Sequence, residues 1–87
     1  MNYTVVWTRA ALAQLNDMWT QATDPDAVDS AATRVAQTLA TDPEQVGESR
    51  EDDTRIMFDA PLVVLFVSDP DMCVVYIVSV GAYGYPA

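Results

Sequence analysis

Eighty-seven residues at 51% apolar content make one small domain, and a chain this short buries only about 60–65% of its unfolded surface, so its core must be efficient. Thirteen acids stand against four arginines, with no lysine and no histidine, and the net charge of −9 repels nucleic acid at long range and removes any general gain from counterion release. The missing histidine excludes a Ser-His-Asp arrangement, a histidine base for the single thiol Cys73, and most zinc chemistry, so no metal or other cofactor is expected.

Residues 3–8, YTVVWT, are β-branched and aromatic and predict a strand. Thr8 is suited to cap the helix that follows. Ala11, Leu12, Leu15, Met18, Trp19 and Ala22 recur at helical spacing and predict an amphipathic helix of about four turns, with Trp19 expected in the core. Thr23-Asp24-Pro25 ends it. Asp24 is a good N-cap, Pro25 suits the first helical position, and Asp26 and Asp29 complement the helix dipole. Val28, Ala31, Ala32, Val35 and Leu39 form the buried stripe of this second helix, with Arg34 at its edge, and Asp42-Pro43 terminates it. The short gap makes the two an αα-hairpin.

A polar loop over 43–53 follows, and then the period changes. Arg55–Phe58 reads as a short strand, Asp59-Ala60-Pro61 as a turn, and Leu62–Ser68 as a nearly all-apolar, central strand. Asp69-Pro70-Asp71 turns the chain again into a last strand, Cys73–Val80, with Cys73 a small buried hydrophobe. The tail GAYGYPA carries Tyr83 and Tyr85, two aromatics that packing explains poorly. The order β-α-α-β-β-β predicts an α+β fold: an antiparallel sheet with the N-terminal helical hairpin on one face and the other face partly open.

The N-terminus MNYTVVWTRA lacks a basic segment followed by a long apolar one, and apolar runs such as Leu62–Val67 and Cys73–Val78 span six residues each. A bilayer span takes about 20. The expectation is a soluble, cytoplasmic protein without a membrane partner.

The stretch GESREDDTR, residues 47–55, holds two of the four arginines. Arg50 and Arg55 have two readings. Four acids, Glu48, Glu51, Asp52 and Asp53, stand within three residues of one or the other, so both can be surface ion pairs worth about 0–1 kcal/mol each. Alternatively, they hold a phosphate, for which a guanidinium is well shaped.

Over nearly its whole length the chain resembles the RelE/ParE superfamily of bacterial toxin–antitoxin proteins. The resemblance rests on YTVVWT leading into RAALAQLNDMW, the second helix ending in LATDP, then GESR, RIMF, PLVVLFV and VVYIVSVG. It implies a small type II toxin neutralised by a cognate antitoxin that wraps the helices and sheet. RelE-like members cut messenger RNA on the ribosome; ParE-like members act on DNA gyrase. Carried over, the catalytic candidates are Arg50 and Arg55 for the phosphate and Tyr83 or Tyr85 as acid or base-stacking group, with Glu48 or Asp59 as general base. The sequence departs from the RNase pattern at Pro61-Leu62, where an arginine is usual, and at AYGYPA, where basic residues are usual. These departures favour a ParE-like, protein-binding mode. The alternative is a non-catalytic binding module or decayed toxin on the same scaffold. A homo-oligomer through a sheet edge or the helical hairpin is a further expectation.

Overall fold

A computed structural model describes residues 2–46, 48–49 and 54–82. The chain runs β1 (Thr4–Trp7), α1 (Arg9–Gln21), α2 (Pro25–Thr41), a 3-10 turn (Pro43–Gln45), β2 (Glu48–Ser49), β3 (Thr54–Asp59), β4 (Leu62–Asp69) and β5 (Val74–Ala82). Among the described residues, five strands form one sheet in the order β1-β5-β4-β3-β2.

The α+β order is as expected, and two details differ. Within the predicted 43–53 loop, Glu48 and Ser49 pair antiparallel with Ile56 and Arg55. The sheet is also mixed, because β1 runs parallel to β5, with Thr4 opposite Val74 and Trp7 opposite Ile77. The two differences are consistent with each other. If the chain reverses at each connection, the extra strand β2 adds one reversal, and β5 returns in the direction of β1.

Both helices start where side-chain chemistry predicts. The Ala11 N–H donates to Thr8 Oγ1 at 3.3 Å, and the Ala27 N–H donates to Asp24 Oδ1 at 3.2 Å. These caps satisfy amide donors that a helix N-terminus leaves without partners.

The helices cover one face of the sheet. Ala11, Val28, Ala31, Val35 and Leu39 meet Met57, Leu62, Val64, Phe66, Val75, Ile77 and Val80 in a single core. Phe66 is the largest fully buried side chain. The predicted stripe of α2 is buried except for half-buried Ala32, but that of α1 is not. Ala11 is buried and Leu15 and Met18 pack on the core, whereas Leu12 is 50% and Trp19 45% exposed. Leu12 and Trp19 lie on the side of the stripe that faces the groove beside α2. Cys73 is half-buried in the β4–β5 turn at φ 55, not in the strand, and its Sγ lies 3.6 Å from the Pro70 carbonyl.

Strand β1 ends at Trp7, so it cannot pair with the second half of β5. Helix α1 covers that edge. The Thr8 hydroxyl and N–H both donate to the Ile77 carbonyl, at 2.8 and 3.1 Å. The Val80 N–H donates to Gln14 Oε1 at 2.8 Å. Between these two points β5 bulges: Leu65 lies opposite Ser79 and Phe66 opposite Ile77, which leaves Val78 as the extra residue. The bulge shifts the alternation by one and brings Val80 into the core behind Val75 and Ile77.

Arg34 reaches from α2 to the β3–β4 turn. Its guanidinium grips the Asp59 carboxylate through Nε, at 3.1 and 3.0 Å, and Nη2, at 2.8 Å, and also donates to the Ala60 carbonyl at 3.4 Å. The hydrogen bond to Asp59 pushes the Arg34 pKa above its ordinary value.

The packing predicts unequal costs. Phe66→Ala should lower unfolding stability by about 3–5 kcal/mol, whereas half-exposed Arg34→Ala should lower it far less, both read by chemical denaturation. Tyr3 adds a pH dependence. Burial, helped by the negative charges of Glu44, Asp42 and Asp69, raises its phenol above the usual 10.0. A raised folded value makes this contribution complete below the unfolded pKa and lost as pH rises through the folded one. Stability should therefore fall above about pH 10, and in a pH series of melts Tyr3→Phe should fall less steeply than wild type.

Candidate functional site

Of the arginine–tyrosine site expected from the sequence, Arg55 alone falls among the described residues. Arg50, Tyr83 and Tyr85 lie outside them, as does the side chain of Glu48. Arg55 is described. It alternates in phase with Met57 and Asp59 and sits opposite Phe66, so its half-buried side chain belongs to the helix-covered side of β3. The bidentate contact with Arg34 occupies Asp59, the other candidate base. Arg9 is exposed at the start of α1. Among the described residues, no His/Cys/Asp/Glu cluster is able to hold a metal ion, and no helix is long and apolar enough to cross a membrane.

The open face of the sheet is built differently. Strand β4 buries Leu62, Val64 and Phe66 under the helices, and alternation sends Val63, Leu65 and Val67 to the other side. Cross-strand register lays these three into rows. Phe58 of β3, Val63 and Gly81 of β5 form one row; Ile56, Leu65 and Ser79 form the next. Thr54, Val67, Tyr76 and Val6 of β1 form the third. Gly81 has a packing role in the first row, because a Cβ there would sit 3.3 Å from Val63 Cγ1.

The rows make an apolar surface rimmed by aromatics. Phe58 is 46% exposed, Tyr76 41% and Val6 36%, and Ile56, Val63, Leu65 and Val67 are half-buried. Among the described residues no cation lies in these rows. Asp69, in phase with these rows at the end of β4, has a carboxylate that accepts from the Met72 N–H at 3.2 Å.

This composition sets what the face can do chemically. A phosphodiester transition state needs positive charge aimed at the phosphate, and the rows offer hydroxyls and hydrocarbon. A protein interface needs an apolar centre with aromatic anchors, and the rows provide one.

The sequence contained a signal for this surface. A continuous apolar strand is the mark of burial on both faces, and Leu62–Val67 is such a run. The individual contributors Phe58, Tyr76 and Val6 could not be picked out, because only cross-strand register brings them together.

Comparison with known structures places the fold. No protein-family model matches the chain, and no curated protein matches it by sequence. Solved structures do match. A chain of the RelBE2 toxin–antitoxin complex of Mycobacterium tuberculosis superposes with a TM-score of 0.78 at 23% identity, over 95% of this chain and 100% of that one. A chain of the chromosomal ParDE toxin–antitoxin system of Pseudomonas aeruginosa superposes with a TM-score of 0.74 at 16% identity, over 94% and 97% of the two chains. The isolated RelE toxin of Escherichia coli does so with a TM-score of 0.65 at 14% identity, over 97% and 87%. The chain therefore has the RelE/ParE toxin fold, as the sequence resemblance implied.

If the rows form a solvent-open apolar surface, Phe58→Ser with Tyr76→Ser should reduce the fluorescence of a bound naphthalene-sulfonate dye by about half. Stability should change by no more than about 1 kcal/mol. Undiminished dye binding would place the exposed apolar surface elsewhere.

Proposed function

We propose that this chain is the toxin-class component of a type II toxin–antitoxin pair, and that it acts by binding a protein rather than by cutting RNA. The observation that carries the second part is the open sheet face, with its rows of apolar side chains and aromatic rim and no cation among the described residues. The fold it shares with chains of toxin–antitoxin complexes supports the first part. In this reading a cognate antitoxin covers the apolar rows until it is degraded, and the exposed rows then engage a protein of the host's essential machinery, in the cytoplasm. DNA gyrase fits a protein-binding mode better than ribosome-bound messenger RNA, because the net charge of −9 opposes approach to a polyanion.

A second reading keeps the surface and drops the toxicity: a non-catalytic binding module or decayed toxin. It is favoured by the placement of Arg55 on the helix side of β3. The same arrangement argues against a working RNase site built from Arg50, Arg55, Tyr83 and Tyr85.

Controlled expression in a bacterial host separates these readings. Wild type and Arg50→Ala/Arg55→Ala should both arrest growth, whereas Phe58→Asp/Tyr76→Asp, equally soluble, should not. Co-expression of an antitoxin encoded beside the gene should restore growth. Arrest lost with the two arginines, together with cleaved ribosomal transcripts, would establish RNase action and overturn the protein-binding mode. Normal growth with soluble wild type would favour the binding-module reading.

A further inference from the structure

The charge on this chain is unevenly placed along the fold. Asp24, Asp26, Asp29, Asp42 and Glu44 fall on α2 or its flanks, in a segment with one arginine. That arginine, Arg34, is bound to Asp59, so its contact is with the sheet and not with the acids of its own helix.

The two ends of α2 differ. Asp24, Asp26 and Asp29 stand at or near the N-terminus, where the helix dipole favours negative charge, and the Asp24 carboxylate caps the first turn. Asp42 and Glu44 stand at the C-terminus, where the dipole disfavours it, and the last turn of α2 carries no basic residue. A third acid joins them from the sheet. The Ser68 hydroxyl donates to Glu44 Oε1 at 3.4 Å, and Asp69 follows Ser68 at the end of β4. The negative charges of Asp42, Glu44 and Asp69 all bear on the Tyr3 phenol, and the Tyr3 N–H donates to the Ala40 carbonyl at 2.7 Å. The C-terminal end of α2 therefore meets the start of β1 and the end of β4 with like charges around the joint. Among the described residues, none of the three acids is in an ion pair.

We propose that the fold is salt-responsive: monovalent salt tightens it by screening repulsion at the C-terminal end of α2, and dilute salt loosens that end first. Screening length sets the range. Charges act over about 30 Å in about 0.01 M salt and over about 3 Å in about 1 M. The molecule measures 39 × 21 × 20 Å. In dilute salt most of its net charge of −9 bears on every acid, and self-repulsion opposes the compact state. In molar salt only direct contacts remain. Salt also weakens the Arg34–Asp59 pair, but one exposed pair contributes little against repulsion among many acids. The inference does not depend on the toxin reading, because it concerns how α2 is held on the sheet.

The test is urea denaturation of the full chain in about 0.01, 0.15 and 0.5 M potassium chloride. Urea is uncharged and leaves the ionic strength unchanged. The wild-type midpoint should rise by about 0.5 M urea or more across the series. Asp42→Asn/Glu44→Gln removes two charges and keeps side-chain oxygens as acceptors, including the one that Ser68 uses. It should raise the midpoint in dilute salt and flatten the rise by about half. Asp26→Asn/Asp29→Asn removes two charges where the dipole favours them and keeps an acceptor for the Trp19 indole. It should flatten the rise clearly less. Amide hydrogen exchange in dilute salt should speed up over residues 38–41 while β4 stays protected. A midpoint that is flat or falls with salt would overturn the proposal. So would a rise in Asp42→Asn/Glu44→Gln as steep as in wild type, or exchange that speeds up equally in α2 and β4. Equal flattening by the two double variants would also overturn it, by spreading the repulsion over the whole surface.

Discussion

The central strand β4 is apolar on both sides, and one helical hairpin is available to cover it. Leu62, Val64 and Phe66 receive α1 and α2 and become the middle of the core. Val63, Leu65 and Val67 emerge on the other side with no second layer among the described residues. A monomer with a polar open face would gain solubility from alternation along its central strand, as antiparallel sheets with one solvated face usually do. Here the alternation is absent, and the neighbouring strands add Ile56, Phe58, Tyr76 and Val6 to the same rows. Contiguous exposed apolar surface of this kind marks a place where another molecule belongs.

The rest of the fold can be understood as the means of holding β4 in the middle. Strand β5 is tied to it along nearly its full length, and the β5 outer edge is divided between two protectors. Thr4–Trp7 pairs with the first half; Thr8 and Gln14 hydrogen-bond the second. An open edge would invite pairing with another chain. Because α1 closes this edge with polar contacts, its apolar residues are left to face inward or sideways, and Leu12 and Trp19 face sideways. The Arg34–Asp59 pair joins the far end of the sheet to α2, and it also takes a carboxylate away from any catalytic use.

The electrostatics point in the same direction. Of the three arginines among the described residues, Arg9 starts α1, Arg34 is bound to Asp59, and Arg55 lies in phase with the core side of β3. None is presented by the open face. A nucleic-acid enzyme must concentrate positive charge where its substrate docks; the three described arginines stand elsewhere, and the described rows are hydrocarbon and aromatic surface.

Several parts of the molecule follow from local chemistry, and short-range patterns reveal them. Thr8 and Asp24 start their helices because their side chains can accept from amides three residues on, wherever those helices end up. The α2 stripe and the apolar run Leu62–Val67 specify burial by spacing and hydropathy alone, and the departures at Pro61-Leu62 and in the tail already weakened an RNase reading. Other features depend on which strands become neighbours, and one residue can change them. The strand β1 runs parallel to β5, and the bulge at Val78 decides that Val80 faces the core. Alternation within β3 puts Arg55 on the helix side once Met57 is fixed there. Trp19 fits the apolar stripe by spacing, yet stands half exposed beside α2, where its indole N–H donates to Asp29. Side-chain phase and lateral register arise only when strands and helices pack, so the apolar rows of the open face were decided by the tertiary structure.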